Sequence, residues 1–356
     1  MKYISPPMLR GYNYSLAEAR KAGSAKRLLA TRIETSAVCN LRCRYCNGVT
    51  GKKLANEISL GALKEVISQV KDLGARSIVV IGGGEPTLYP YFRSLIRYID
   101  KNGLIPVVIT NATRLNLALA QFLNDHNASV LVKMDSLDEA KQDYLVQQKG
   151  VGRKIRQGLA NLFSVGFNKT QGGQLRCGAS FVLTAKNYKD ILDVWKYCRD
   201  NNLYPNLEEL ILRNHALSAK NSLWLEKDKV MAVKESLLKL DREKYGYDWL
   251  VHSPMPGHGC LQHFYSLYIT CQGYVQPCAD VMIRDFNIKD MRISEILDTP
   301  FFKLVRDIGK HLQGKCSGCP NGDLCVGCRG LAFSVGVEEG KDIYQAICRE
   351  DPLCCR

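Results

Sequence analysis

The chain has no run approaching the roughly 18 apolar residues of a membrane-spanning helix, so helical membrane spans are excluded. Met1 to Arg10 contains Pro6 and Pro7 and no apolar stretch, so no secretory signal is expected there. No repeat, heptad or low-complexity tract is present, and an ordinary soluble, cytosolic protein is expected. Acidic charge is scarce: 35 Asp and Glu stand against 49 Lys and Arg, a net charge of +14. Across residues 1–32, Lys2, Arg10, Arg20, Lys21, Lys26, Arg27 and Arg32 face Glu18 alone. Basic chains often bind nucleic acid. Here the basic residues are dispersed and no nucleic-acid module is readable, so a solvated surface or an anionic substrate fits better.

What is present suits one large domain plus a smaller one: 356 residues, 46% of them hydrophobic. Fifteen cysteines are too many for a cytosolic disulfide framework and fall mainly into two clusters, so metal binding in a reducing, oxygen-poor setting is expected.

From residue 28 to about 215, short apolar runs alternate with helical patterns. Strands are predicted at Leu28–Thr35, Ser77–Ile81, Ile105–Thr110, Ser129–Asp135, Cys177–Leu183 and Leu207–Leu212. Amphipathic stretches at Leu60–Leu73, Tyr91–Lys101, Leu115–Asn124, Arg153–Phe163 and Tyr188–Asp200 predict the helices between them. Such alternation implies an α/β fold with a parallel sheet, here a curled, partial (β/α)6 barrel. The expected organisation is a basic segment at 1–27, the barrel at 28–215, a helical connection at 216–255 with a helix near Leu225–Leu240, and a cysteine-rich domain at 256–356.

Ligands of such folds sit at the carboxyl ends of the strands. Those ends carry a cysteine loop, then Gly82-Gly83-Gly84-Glu85-Pro86, Asn111, Lys133 with Asp135 and Ser136, Thr184 with Asn187, and Arg213 with His215. The glycine run lacks the G-x-G-x-x-G spacing of dinucleotide sites. Asp135, Arg213 and His215 are candidate substrate contacts or proton acceptors, with ordinary rim residues as the alternative.

The cysteine loop is Cys39-Asn40-Leu41-Arg42-Cys43-Arg44-Tyr45-Cys46. Three thiolates there can hold three irons of a four-iron cluster, which normally takes four. One iron then stays open to a small molecule. The alternative is zinc with a fourth ligand from afar.

The second cluster opens with Cys260, Cys271 and Cys278, around a β-hairpin predicted at Tyr265–Thr270 and Tyr274–Gln276. Two C-x2-C pairs follow, Cys316/Cys319 and Cys325/Cys328, then Cys348, Cys354 and Cys355. Taken alone these pairs also suit a zinc ribbon. Cys177 and Cys198 are expected to be buried as small apolar groups.

The loop spacing, the aromatic Tyr45 and the Gly83-Gly84-Glu85-Pro86 run resemble the radical S-adenosylmethionine (SAM) superfamily. The resemblance implies that SAM chelates the open iron and is cleaved reductively to a 5′-deoxyadenosyl radical, which takes a hydrogen atom from an unactivated carbon. It also implies that Gly83, Gly84 and Glu85 hold the SAM amino group, with Asn111 and Ser136 near the ribose or carboxylate. Electrons would come from a donor such as flavodoxin or ferredoxin.

The C-terminal cysteines resemble the SPASM extension, which holds two auxiliary clusters, so three 4Fe-4S clusters and SAM are the implied cofactors. Carried over, Cys316, Cys319 and Cys325 bind one auxiliary cluster with Cys348 or Cys354. Cys328 crosses back to join Cys260 and Cys278 on the other. The chain departs from that pattern in its two-residue last spacing, its spare tail cysteine, and the lack of a second cysteine near Ser266. The fourth ligand there is Cys271 or no protein group. Auxiliary clusters imply oxidation of the substrate radical. A free Cys271 thiol returning a hydrogen atom, to give an epimer, is the alternative. Some 30 residues before the first strand are few for a peptide-binding domain. A small polar metabolite such as a sugar or aminocyclitol is therefore expected ahead of a peptide that is cross-linked or epimerised. A non-catalytic zinc- or iron-binding regulator is the reading of another class.

Overall fold

The computed structural model describes residues 4–48, 51–170, 172–251 and 254–354. Cys355 lies outside them. No helix among the described residues is long and apolar enough to cross a membrane.

Six parallel strands form the barrel: β1 (Ala30–Glu34), β2 (Ser77–Ile81), β3 (Ile105–Thr110), β4 (Ser129–Lys133), β5 (Cys177–Val182) and β6 (Tyr204–Glu208). The hairpin adds β7 (Ser266–Ile269) and β8 (Val275–Gln276). The strand order is β6-β5-β4-β3-β2-β1-β7-β8. The fold is thus the expected partial (β/α)6 barrel, with one addition. β7 pairs in parallel with β1, Ala30 opposite Ser266, so the hairpin continues the barrel sheet.

The predicted sixth strand, Leu207–Leu212, lies too far along the chain: β6 is Tyr204–Glu208. Leu210 and Ile211 are buried in the loop beyond it, so their apolar character serves packing rather than a ladder. Pro205 sits inside β6, where it is tolerated because β6 is an edge strand paired only with β5.

Strand side chains alternate between two apolar layers. Val80, Val108, Val130 and Phe181 pack among the outer helices Leu60–Asp72, Phe92–Lys101, Val151–Ser164 and Ile191–Asp200. Val79, Val107, Ile109 and Leu131 face inward, against Leu9, Tyr12, Leu175 and Tyr204. The N-terminal segment is therefore a plug, not a tail. Arg10 N–H donates to the Leu175 carbonyl at 2.9 Å, and Ser77 Oγ donates to the Gly11 carbonyl at 2.6 Å. Gly11 has φ +75°, and a Cβ there would press on Ile105 at 2.9 Å. This closes the amino ends of the strands and leaves the carboxyl ends for ligands.

The connecting helix, Lys227–Leu240, is anchored by Asp241. This fully buried carboxylate accepts from Trp195 Nε1 (2.9 Å), Arg199 Nε (3.0 Å) and Nη2 (2.7 Å), and Trp249 Nε1 (2.9 Å). Removing one partner of a buried pair leaves the other charge uncompensated. Asp241→Ala is expected to cost about 3–5 kcal/mol, read as a fall in the urea midpoint. An unchanged midpoint would contradict this.

Candidate active site

The cysteine loop is fixed before any ligand arrives. Tyr45 OH donates to Asp135 Oδ2 at 2.6 Å, and Asp135 Oδ1 accepts from Val182 N–H at 2.9 Å. Asp135 is fully buried and does not line the cavity described below. Its place is under the loop. Burial raises the pKa of Cys39, and raises that of Cys43 far more, with Asp135 adding to the effect at Cys43. Thiolates in such surroundings need adjacent positive charge, which bound iron supplies.

The glycine run lies against the same loop. Gly84 N–H donates to the Ser36 carbonyl and Glu85 N–H to that of Val38, both at 2.8 Å. A Cβ on Gly84 would overlap the Val38 carbonyl, so only glycine fits. The Glu85 carboxylate accepts from Thr87 N–H (3.0 Å), Thr87 Oγ1 (2.6 Å), Thr110 Oγ1 (2.6 Å) and Asn111 N–H (2.7 Å). It thereby locks the loops after β2 and β3 together. Asn111 Nδ2 donates to Asn40 Oδ1 at 2.9 Å, reaching back to the cysteine loop. Gly83, Gly84, Glu85 and Asn111 line the cavity, whereas Ser136 does not. Ser136 Oγ instead donates to Asp190 at 3.1 Å.

That cavity, of about 340 Å³, runs from Cys39, Cys43 and Cys46 to Cys260, Cys278 and Cys328. Its walls carry charge. Lys133 Nζ meets Glu208 Oε2 at 3.0 Å. Arg213, which does not itself line the cavity, reaches from the loop after β6 to Asp280 at 2.6 Å, and Asn47 donates to the same carboxylate oxygen at 2.8 Å. Glu209 pairs with Lys234 through one oxygen, and its other oxygen, Oε2, is buried with no hydrogen-bond partner among the described residues. His215 lies in the short helix Asn214–Ser218 and does not line the cavity.

Glu208, Glu209, Asp280, His263 and Arg329 all line it and were missed by sequence reasoning. Ending β6 at its acidic pair would have exposed the first two. His263 has a buried Nε2 without a partner among the described residues, and burial aided by Arg329 presses its pKa down to about 3.

Cys271 is elsewhere. Its N–H donates to Glu34 Oε2 at 2.8 Å, its thiol contacts the same carboxylate, and it does not line the cavity. Cys316, Cys319 and Cys325 surround a separate hollow. The charge of Cys354 acts on both Cys316 and Cys325, so the tail returns to this hollow. Cys348 is packed in the core at the end of the helix Ile343–Cys348. Asp351 Oδ2 accepts from Cys328 N–H at 2.7 Å, and Arg329 Nη2 lies 4.0 Å from Cys316 Sγ, so both join the two cysteine groups. Cys177 and Cys198 are fully buried. Among the described residues, no three His, Cys, Asp or Glu side chains converge closely enough to hold a single metal ion.

Residues 33–198 match the family model of the radical SAM superfamily, and residues 260–320 match that of the SPASM iron–sulfur cluster-binding domain. The chain is 23% identical over 335 residues to the AdoMet-dependent heme synthase of Methanosarcina barkeri, covering 87% of this chain and 93% of that one. It is 26% identical over 265 residues to the GTP 3′,8-cyclase of a Sulfurovum species, covering 69% and 78%. Its fold is similar to that of Streptococcus suis SuiB bound to SAM, with TM-score 0.71, 17% identity and coverage of 97% and 84%. With the glycine run seated on a three-cysteine loop and these matches over both halves, the chain belongs to the radical SAM superfamily and carries a SPASM domain.

Proposed function

We propose that this chain is a radical SAM oxidoreductase that dehydrogenates a small polar metabolite such as a sugar or aminocyclitol. One observation carries the reading: a single cavity is walled at one side by Cys39, Cys43 and Cys46 and at another by Cys260, Cys278 and Cys328. A substrate between them can lose a hydrogen atom at one end and an electron at the other.

When bound, the clusters and SAM supply the radical and accept the electron. The chain's residues do the rest. Gly83, Gly84 and Glu85 shape the SAM cradle. Lys133, Glu208 and Asp280, the last held by Arg213, offer charges that can hydrogen-bond hydroxyl and amino groups. The free oxygen of Glu209 is placed to take the proton. The balance is two hydrogens lost from substrate, one as an atom to the deoxyadenosyl group and one as a proton plus an electron. The ion pairs across the walls favour a compact polar ligand over an extended peptide. Cys316, Cys319 and Cys325 surround the outer site, with the charge of Cys354 acting on two of them, and a flavodoxin- or ferredoxin-type partner can exchange electrons there.

The test is anaerobic incubation with SAM, a reductant and pooled candidate metabolites. The expected result is a brown protein with about twelve irons, and 5′-deoxyadenosine formed together with a product lacking two hydrogens. A product isomeric with its substrate would overturn dehydrogenation in favour of epimerisation. A colourless zinc protein would overturn the enzyme reading itself.

A further inference from the structure

The inner cysteine group is one ligand short. Cys260, Cys278 and Cys328 line the cavity, while Cys271 is turned to Glu34. A four-iron cluster normally takes four protein ligands. Resting on the two-sided cavity above, we propose that His263 is the fourth ligand of the inner auxiliary cluster, through Nε2.

Two observations point there. His263 follows Cys260 by three residues, across the turn in which Phe264 N–H donates to the Leu261 carbonyl at 3.0 Å. That turn opens the short helix Gln262–Tyr265, and Cys260 and His263 both line the cavity. Next, His263 is 6% exposed, yet its Nε2 has no hydrogen-bond partner among the described residues. A buried, unpaired ring nitrogen is costly, and metal coordination would satisfy it.

The substitution has a chemical consequence. A neutral imidazole in place of a thiolate removes one negative charge from the cluster, and histidine ligation raises iron–sulfur potentials. An inner cluster so ligated takes an electron from the substrate radical more readily. Sequence reasoning sought a cysteine near Ser266, and so passed over the histidine between them.

The experiment uses full-length protein with Cys39, Cys43 and Cys46 all changed to Ala, reconstituted anaerobically, so that only auxiliary clusters remain. Protein grown with 15N-histidine is reduced and read by pulsed electron paramagnetic resonance. The expected result is about eight irons and a 15N coupling that disappears in His263→Ala. His263→Cys should keep the iron, lose the coupling and shift the inner potential to more negative values. Iron present without coupling, or coupling that survives His263→Ala, would overturn the assignment of His263. Absence of iron from this background would overturn the cluster reading itself, and the ligand with it.

Discussion

Changing Cys39, Cys43 and Cys46 together to alanine is expected to reduce 5′-deoxyadenosine formation to the level of buffer, while about four irons of twelve are lost. The effect is large because no other group can replace these ligands. Cys39, Cys43 and Cys46 sit on one loop at the end of β1, walled by the glycine run and Asn111, and the other cavity cysteines belong to a different wall. The loop itself should survive the change. Its shape rests on Tyr45 against Asp135, on the Ser36 and Val38 carbonyls bonded to Gly84 and Glu85, and on Glu57, which accepts from Ala37 N–H at 3.0 Å. None of these bonds uses a thiol. The variant should therefore fold and keep its auxiliary iron, so activity and iron content separate a lost cofactor from a lost protein. Measurable SAM cleavage in this variant would remove the basis of the functional reading.

What the sequence made legible was local. Ser77–Ile81 and Ile105–Thr110 are strands at the predicted limits, because each is a short β-branched run bounded by turn residues. The helices Leu60–Asp72 and Phe92–Lys101 follow their apolar spacing closely. The residues of the cysteine loop and glycine run were visible because each motif is compact. What was not legible depends on distant partners. Nothing in Ser266–Ile269 says that it pairs with Ala30–Ile33, more than two hundred residues earlier. Leu9 and Tyr12 are too few to form a periodic signal, although they close the barrel floor. The end of β6 was misread because Leu210 and Ile211 continue an apolar pattern past the last ladder bond, and this hid Glu208 and Glu209. Asp135, Arg213 and His215 were placed in the cavity by strand phase alone. In the structure Asp135 braces Tyr45, Arg213 turns to Asp280, and none of the three lines the cavity.

Gly84→Ala should weaken SAM binding by about 100-fold, equal to roughly 2.8 kcal/mol. A Cβ at this position overlaps the Val38 carbonyl oxygen and crowds the Ala37 carbonyl carbon at 2.7 Å. Both are backbone atoms, so no side chain can swing aside. Forcing extra volume into a packed site costs about 1–3 kcal/mol, and the displaced segment leads directly into Cys39. Relief must come from moving the glycine run or the cysteine loop. Either movement breaks the 2.8 Å bonds from Gly84 and Glu85 and misaligns cradle and open iron together. A displacement of about 1 Å at a reacting centre can cost about 100-fold in rate, so cleavage should fall along with affinity. Gly61→Ala is the matched control. It lies in the helix Leu60–Asp72, and its Cβ would meet only Ser59 Oγ, at an ordinary 3.5 Å. That control should bind SAM as the parent does and gain a little stability, since alanine favours a helix over glycine by about 1 kcal/mol. Anaerobic equilibrium dialysis with labelled SAM gives both affinities directly. Equal affinity in Gly84→Ala and the parent would show that the ligand does not lie against this loop.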